Sequence, residues 1–235
     1  MTSTKMTIRK ANADRKLIDS QINKIINDIK YNNFALIGIY QSNKPLIGML
    51  SPKEYEEQIK SNWQKINDLL IRREKLNFAV MKAYGGFSQD GIYDVFVQVP
   101  KFVGFDKSSS ETQVLTIAQA IARKNLFKDT ILNLVVSIQQ IAKDAAAHFE
   151  KMTNQAHKDM LDQINKQFGP ESSQTAKQRI EYTDSIKDQY IVNKIDPLNL
   201  YIRISDIKDN IMEYINNIDS ILSKATETTE VEVED

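Results

Sequence analysis

Cysteine is absent from the 235 residues, which excludes disulfide staples, zinc–thiolate sites and a cysteine nucleophile. An excess of either charge is absent as well. The 31 basic side chains balance 31 acidic ones, so no global field draws the chain to duplex DNA or to an anionic membrane surface. Long apolar runs are missing too: no stretch approaches the roughly 20 residues of a membrane-spanning helix. Residues 1–13 are polar and charged, without the apolar segment of a signal peptide. These absences lead to the expectation of a cytoplasmic site of synthesis. What is present is ordinary for a globular chain, 41% apolar and 26% charged, at a length that can bury a sizeable core.

Periodicity predicts long helices. Ile18, Ile22, Ile25, Ile26 and Ile29 form one stripe of an amphipathic helix over about 8–30. Residues 34–40, Phe-Ala-Leu-Ile-Gly-Ile-Tyr, read as a buried strand between Asn- and Ser-rich punctuation. A second helix opens at Ser51-Pro52-Lys53-Glu54, a capping box with proline at the first helical position. Its stripe is Ile59, Trp63, Ile66, Leu70, Arg73 and Asn77, and Gly85-Gly86 stops it. Alternation over 91–100 predicts a strand, with a second short strand at 101–105, and Lys107-Ser-Ser-Ser-Glu111 reads as a surface loop.

Thr116 and Gln119 have capping-box spacing and open the longest helix, with a stripe from Ile117 and Ile121 through Ile131, Leu134, Ile138, Ile141, Ala145, Phe149 and Met152. It runs on to Phe168, with a polar interruption at 153–159, before Gly169-Pro170. Residues 171–188 read as loop plus a weak helix. Asp196-Pro197 starts a last helix along Ile204, Ile207, Ile211, Ile215, Ile218 and Leu222, and residues 228–233 alternate like a strand. The fold class expected is mainly α with a small β element (α+β). It is a single elongated domain over 1–235, with long antiparallel helices as a bundle or coiled-coil hairpin. A small sheet from segments near 34–40, 91–105 and 228–233 lies at one end, and residues 125–190 could form an arm.

Chemistry is thinly represented. His148, with Asp144 and Met152 one turn to either side, supplies too few ligands for a metal site, and a structural histidine is the favoured reading for it and for His157. Ser108 to Ser110 have no histidine and carboxylate beside them to act as a base. No catalytic residue, metal site or cofactor is expected. The basic positions offer more. Arg72, Arg73, Arg123 and Lys124 could converge into an anion pocket, with Tyr84 and Tyr93 as stacking faces, because guanidinium forks suit phosphate and carboxylate. An internal salt bridge for Arg73 is the competing reading. Trp63 is expected in a core or an interface.

Several segments resemble a family of uncharacterised bacteriophage proteins: Arg15-Lys-Leu-Ile-Asp-Ser-Gln-Ile-Asn-Lys24, Ile66-Asn-Asp-Leu-Leu-Ile-Arg-Arg-Glu-Lys75, Thr116-Ile-Ala-Gln-Ala-Ile-Ala-Arg-Lys124, Asp196-Pro-Leu-Asn-Leu200 and residues 220–233. The chain departs from that pattern at Lys82-Ala-Tyr-Gly-Gly86, where the family tends to carry Ser-Asn-Ala, and in a longer insertion reaching Ser110. The resemblance implies a phage origin, and with it a location in the host cytoplasm or in a virion. The function expected is a structural or accessory phage protein, a virion or assembly component acting as a homo-oligomer, with other phage proteins as further partners. The alternative is an anti-defence protein that sequesters a small anionic, nucleotide-like signal. An enzyme with an unrecognised site is the third reading.

Overall fold

The computed structural model describes residues 5–31, 34–42, 44, 51–84, 96–169 and 176–228. Helices α1 (Ile8–Lys30), α2 (Pro52–Tyr84), α3 (Ile117–Leu126), α4 (Leu132–Phe168), α5 (Ala176–Ile186) and α6 (Leu200–Thr228) carry most of the chain. Among the described residues four strands, β1 (Gly38–Gln41), β2 (Phe96–Val103), β3 (Asp106–Thr116) and β4 (Val192–Ile195), pair antiparallel. The chain divides into two compact units. One comprises 1–34, 63–138 and 202–235, and the other 35–62 and 139–201. The mainly helical character with a small β element agrees with the sequence.

In the first unit, Thr7 caps α1 by accepting from the Lys10 N–H, and Ala11, Ile18, Ile22, Ile25 and Ile29 are buried along one face. Leu17, off that face, is 59% exposed. Strands β2 and β3 form a hairpin in which Val97, Val99 and Leu115 point inward. The residues expected to form a loop, Lys107 to Glu111, lie inside β3 instead. A break in register between Pro100 and Phe102 gives β3 more residues than β2 there, so a polar run rides in a bulged strand. The hairpin turns at Gly104, whose φ is +63°. Phe105 behind it donates its N–H to Asn67 Oδ1 at 3.3 Å and stacks on Trp63 at 4.8 Å between centroids, which makes Trp63 a packing residue.

Thr116 ends β3 and caps α3, with both halves of the capping box made to Gln119. The single long helix expected from 117 is interrupted. Phe127–Ile131 is a π turn, with the Leu132 N–H bonded to the Phe127 carbonyl, and α4 then continues unbroken through 153–159. The wider turn shifts the helical phase. The inward face of α3 is therefore Ala120, Arg123 and Leu126, while Ile121, expected on the stripe, is 45% exposed.

In the second unit, Ser51 and Glu54 make the reciprocal capping box at the start of α2. The strand expected at 34–40 is shorter, Gly38–Gln41, and its partner is β4, a strand the sequence did not suggest. The β elements are thus two separate two-stranded sheets, β1 with β4 and β2 with β3. Residues 91–95 and 229–233, expected to supply strand, lie outside the described residues, as does Gly85-Gly86. Ile59 and Ile195 are buried together with Ala35, Tyr40, Tyr55 and Leu198 around them. Arg179 of α5 closes the C-terminal end of α4 by donating to the Gly169 carbonyl at 2.6 Å and to Asn165 Oδ1 at 2.9 Å. Asp196 accepts from the Leu200 and Tyr201 N–H groups, so it caps α6 from four residues ahead of its first turn.

The two left-handed glycines separate two costs. At Gly169 (φ +71°) an added Cβ would meet nothing within 4 Å, whereas at Gly104 it would lie 2.2 Å from Asn67 Oδ1. Gly169→Ala is expected to cost about 1–2 kcal/mol from backbone strain alone. Gly104→Ala is expected to cost more than that, measured as the difference in urea unfolding midpoints.

Candidate functional site

The most concentrated polar chemistry in the described residues lies inside the first unit, around Arg123. This side chain is 1% exposed. A buried guanidinium is costly unless its charge is matched and its donors are used. Its Nε stands 2.6 Å from Glu74 Oε1 on α2, and its Nη2 donates to the Phe102 carbonyl of β2 at 3.0 Å. The Glu74 contact is a charge pair without the alignment of a hydrogen bond, since both Nε and Oε1 are left without a hydrogen-bond partner. Nη1 has none either.

Aromatic rings enclose the rest of the group. The guanidinium carbon lies 5.5 Å from the Phe127 centroid and 5.6 Å from that of Tyr214, within the range of cation–π attraction. Phe102, Phe127 and Tyr214 pack on one another with centroids 4.6–5.1 Å apart. The Tyr214 hydroxyl is buried and without a hydrogen-bond partner. Burial pushes its pKa up to about 12; Arg123 pulls it down and Glu74 pushes it up. Burial likewise raises the Glu74 carboxyl above its ordinary value, against the opposing pull of Arg123. Phe127 follows Arg123 by four residues, one helical turn, which sets its ring beside the guanidinium, and the π turn begins at that residue.

The residues expected to line an anion pocket are placed as follows. Arg73 Nε meets Asp19 of α1 at 2.6 Å, the internal salt bridge weighed against the pocket. Arg72 lies 3.7 Å from Asp14, and its side chain is 65% exposed. Arg123 pairs with Glu74, and Lys124 pairs with Asp219 of α6. Each of the four therefore meets its own carboxylate. Tyr84 is the last residue of α2, with its side chain outside the described set, and Tyr93 lies outside it altogether. His148 and His157 are exposed. Among the described residues no group of three or more His, Asp or Glu is arranged to hold a metal ion, and no helix is long and apolar enough to cross a membrane.

Glu74, Phe102, Phe127 and Tyr214 were not singled out from sequence. Tyr214 had a visible signal, since it falls on the α6 stripe three residues after Ile211 and four before Ile218. The phase slip in the third stripe was another: Ile121 to Ile131 is ten residues, which matches no whole number of α-turns.

Two outcomes check this cluster. Arg123→Met strands the Glu74 carboxylate and is expected to cost about 3–5 kcal/mol in chemical unfolding, while the double variant with Glu74→Leu recovers much of that loss. For Tyr214 the folded pKa lies above the unfolded one, so its stabilisation is complete below pH 10 and is lost as pH rises through about 12. In an absorbance titration of phenolate formation, Tyr214→Phe is expected to remove one late-ionising equivalent; an unchanged late phase would show that another tyrosine supplies it. No family model, no curated protein and no solved structure matches this chain.

Proposed function

We propose that this chain is a bacteriophage structural or assembly component that acts by self-association. The observation that carries the reading is the outer face of the β2–β3 hairpin. Phe96 is paired with Thr116 and Gln98 with Val114, which puts Phe96 and Val114 on one face, diagonal to each other. Both are 59% exposed, while the alternate residues Val97, Val99 and Leu115 are buried. A phenylalanine and a valine side by side in water are a standing drive to association, since covering such side chains stabilises by about 1.5–3 kcal/mol each. The phage assignment rests on the resembling segments quoted above. The packing of the long helices as an antiparallel bundle or coiled-coil hairpin belongs to the same proposal. Sequestration of a small anion takes second place, because Arg72, Arg73, Arg123 and Lys124 each face a carboxylate.

Sedimentation equilibrium of the purified protein is expected to give a homo-oligomer. Phe96→Asp with Val114→Asp is expected to lower the mass toward the monomer without changing the helical circular dichroism. A monomer at all concentrations for the unaltered protein would sink the reading.

A further inference from the structure

The first unit carries a groove that neither the Arg123 cluster nor the hairpin face uses. It has a volume of about 360 Å³ and runs between the start of α1 and the last three turns of α2, within the size range of small-molecule sites. Its floor is apolar: Ala11, Leu76 and Val80 are each buried to 8% exposure or less. Met6 and Ile8 line one wall and are each 37% exposed, high for large apolar side chains.

Polarity is segregated along the groove. The charged groups among its lining residues are Arg72 and Lys75, one turn apart on α2, and both are cations. From residue 76 to residue 83 the α2 lining is entirely apolar. At 1.5 Å per residue the stretch from 72 to 83 spans about 17 Å. Arg72 stands 3.7 Å from Asp14, beyond hydrogen-bond distance, so its planar donor fork is open to a better-placed carboxylate. Lys75 is exposed and makes no ion pair among the described residues. Among the described residues, the lining offers no aromatic ring to stack a base and no amide or carboxylate to read one.

We infer that this groove binds a free anionic amphiphile, an aliphatic carboxylate whose head is held by Arg72 and Lys75 and whose chain lies over Leu76 and Val80. A straight aliphatic chain matches the apolar stretch, and a single negative head matches a cationic end at which Lys75 makes no ion pair among the described residues and the one acid, Asp14, stands 3.7 Å from Arg72. The site goes beyond the self-association reading and does not depend on it.

The test is calorimetric titration with decanoate below its micelle concentration, with decanol as the uncharged control. Decanoate is expected to bind at one site per chain, and the alcohol at least about tenfold more weakly, since charge-assisted hydrogen bonds are being withheld. Arg72→Gln with Lys75→Gln is expected to reduce decanoate affinity by a similar factor, and Ala79→Trp, at an exposed lining position, to abolish it. Lys101→Gln on the hairpin is expected to leave it unchanged, and thermal melts of each variant report whether it is folded. Equal affinity for acid and alcohol, undiminished binding by folded Ala79→Trp, or no heat with decanoate would each overturn the proposal. Flotation with anionic phospholipid vesicles in the absence of decanoate binding would overturn it in favour of a membrane surface, and binding of an acidic peptide alone would do so in favour of a peptide groove. Sedimentation of the same samples keeps the two readings separate.

Discussion

A single buried cation organises the first unit. Arg123 enters an apolar interior from α3, and water cannot accompany it. Its charge is met by α2 through Glu74, one of its donors by β2 through the Phe102 carbonyl, and its faces by rings from the π turn and from α6. Three elements distant in sequence, α2, β2 and α6, must be in place before that guanidinium is tolerable. The energy of such a pair relative to an apolar substitute is small or unfavourable. Its value here is selectivity, because an alternative packing that moved α2 would leave an unmatched charge inside, and one that moved the hairpin would strand a buried donor.

Much of the helical structure could be read from residue patterns. The Ile stripe of α1, the box at Ser51 and Glu54, and the box at Thr116 and Gln119 each rest on local spacing, and local spacing is what a sequence displays directly. The failures share the opposite property. β4 is four residues of Val-Asn-Lys-Ile, too short for alternation to register, and it exists because β1 offers it a ladder. The π turn has no composition of its own; it shows only as a slip in phase. Ser108 to Ser110 look like loop because serines flanked by charges favour turns, yet they lie within β3, in the bulge between the Lys107–Phe102 and Thr112–Pro100 pairings.

The same division explains the candidate site. Basic residues at 72, 73, 123 and 124 were visible, and so was the chance that their helices meet. Which acid each would face was not visible, since Asp14, Asp19, Glu74 and Asp219 lie on other turns or other helices and nothing in their neighbourhoods marks them. Arg73 illustrates the ambiguity: an arginine on an apolar stripe can serve a ligand or a partner helix, and the choice rests on a contact 54 residues away in sequence.

The β1–β4 ladder has a consequence for the order in which this chain can fold. Gln41 reaches the Gln189 carbonyl across 148 residues, and the Asn193 amide donates to Ser42 Oγ across 151. The ladder cannot form until residue 195 has been made, and α6, which supplies Tyr214 to the first unit, comes later still. The second unit therefore cannot complete its interior before residue 195 has been made, nor the first before Tyr214. Until then α1 and α2 present their isoleucine faces to whatever is near, and the capped helices can form early while the sheets wait.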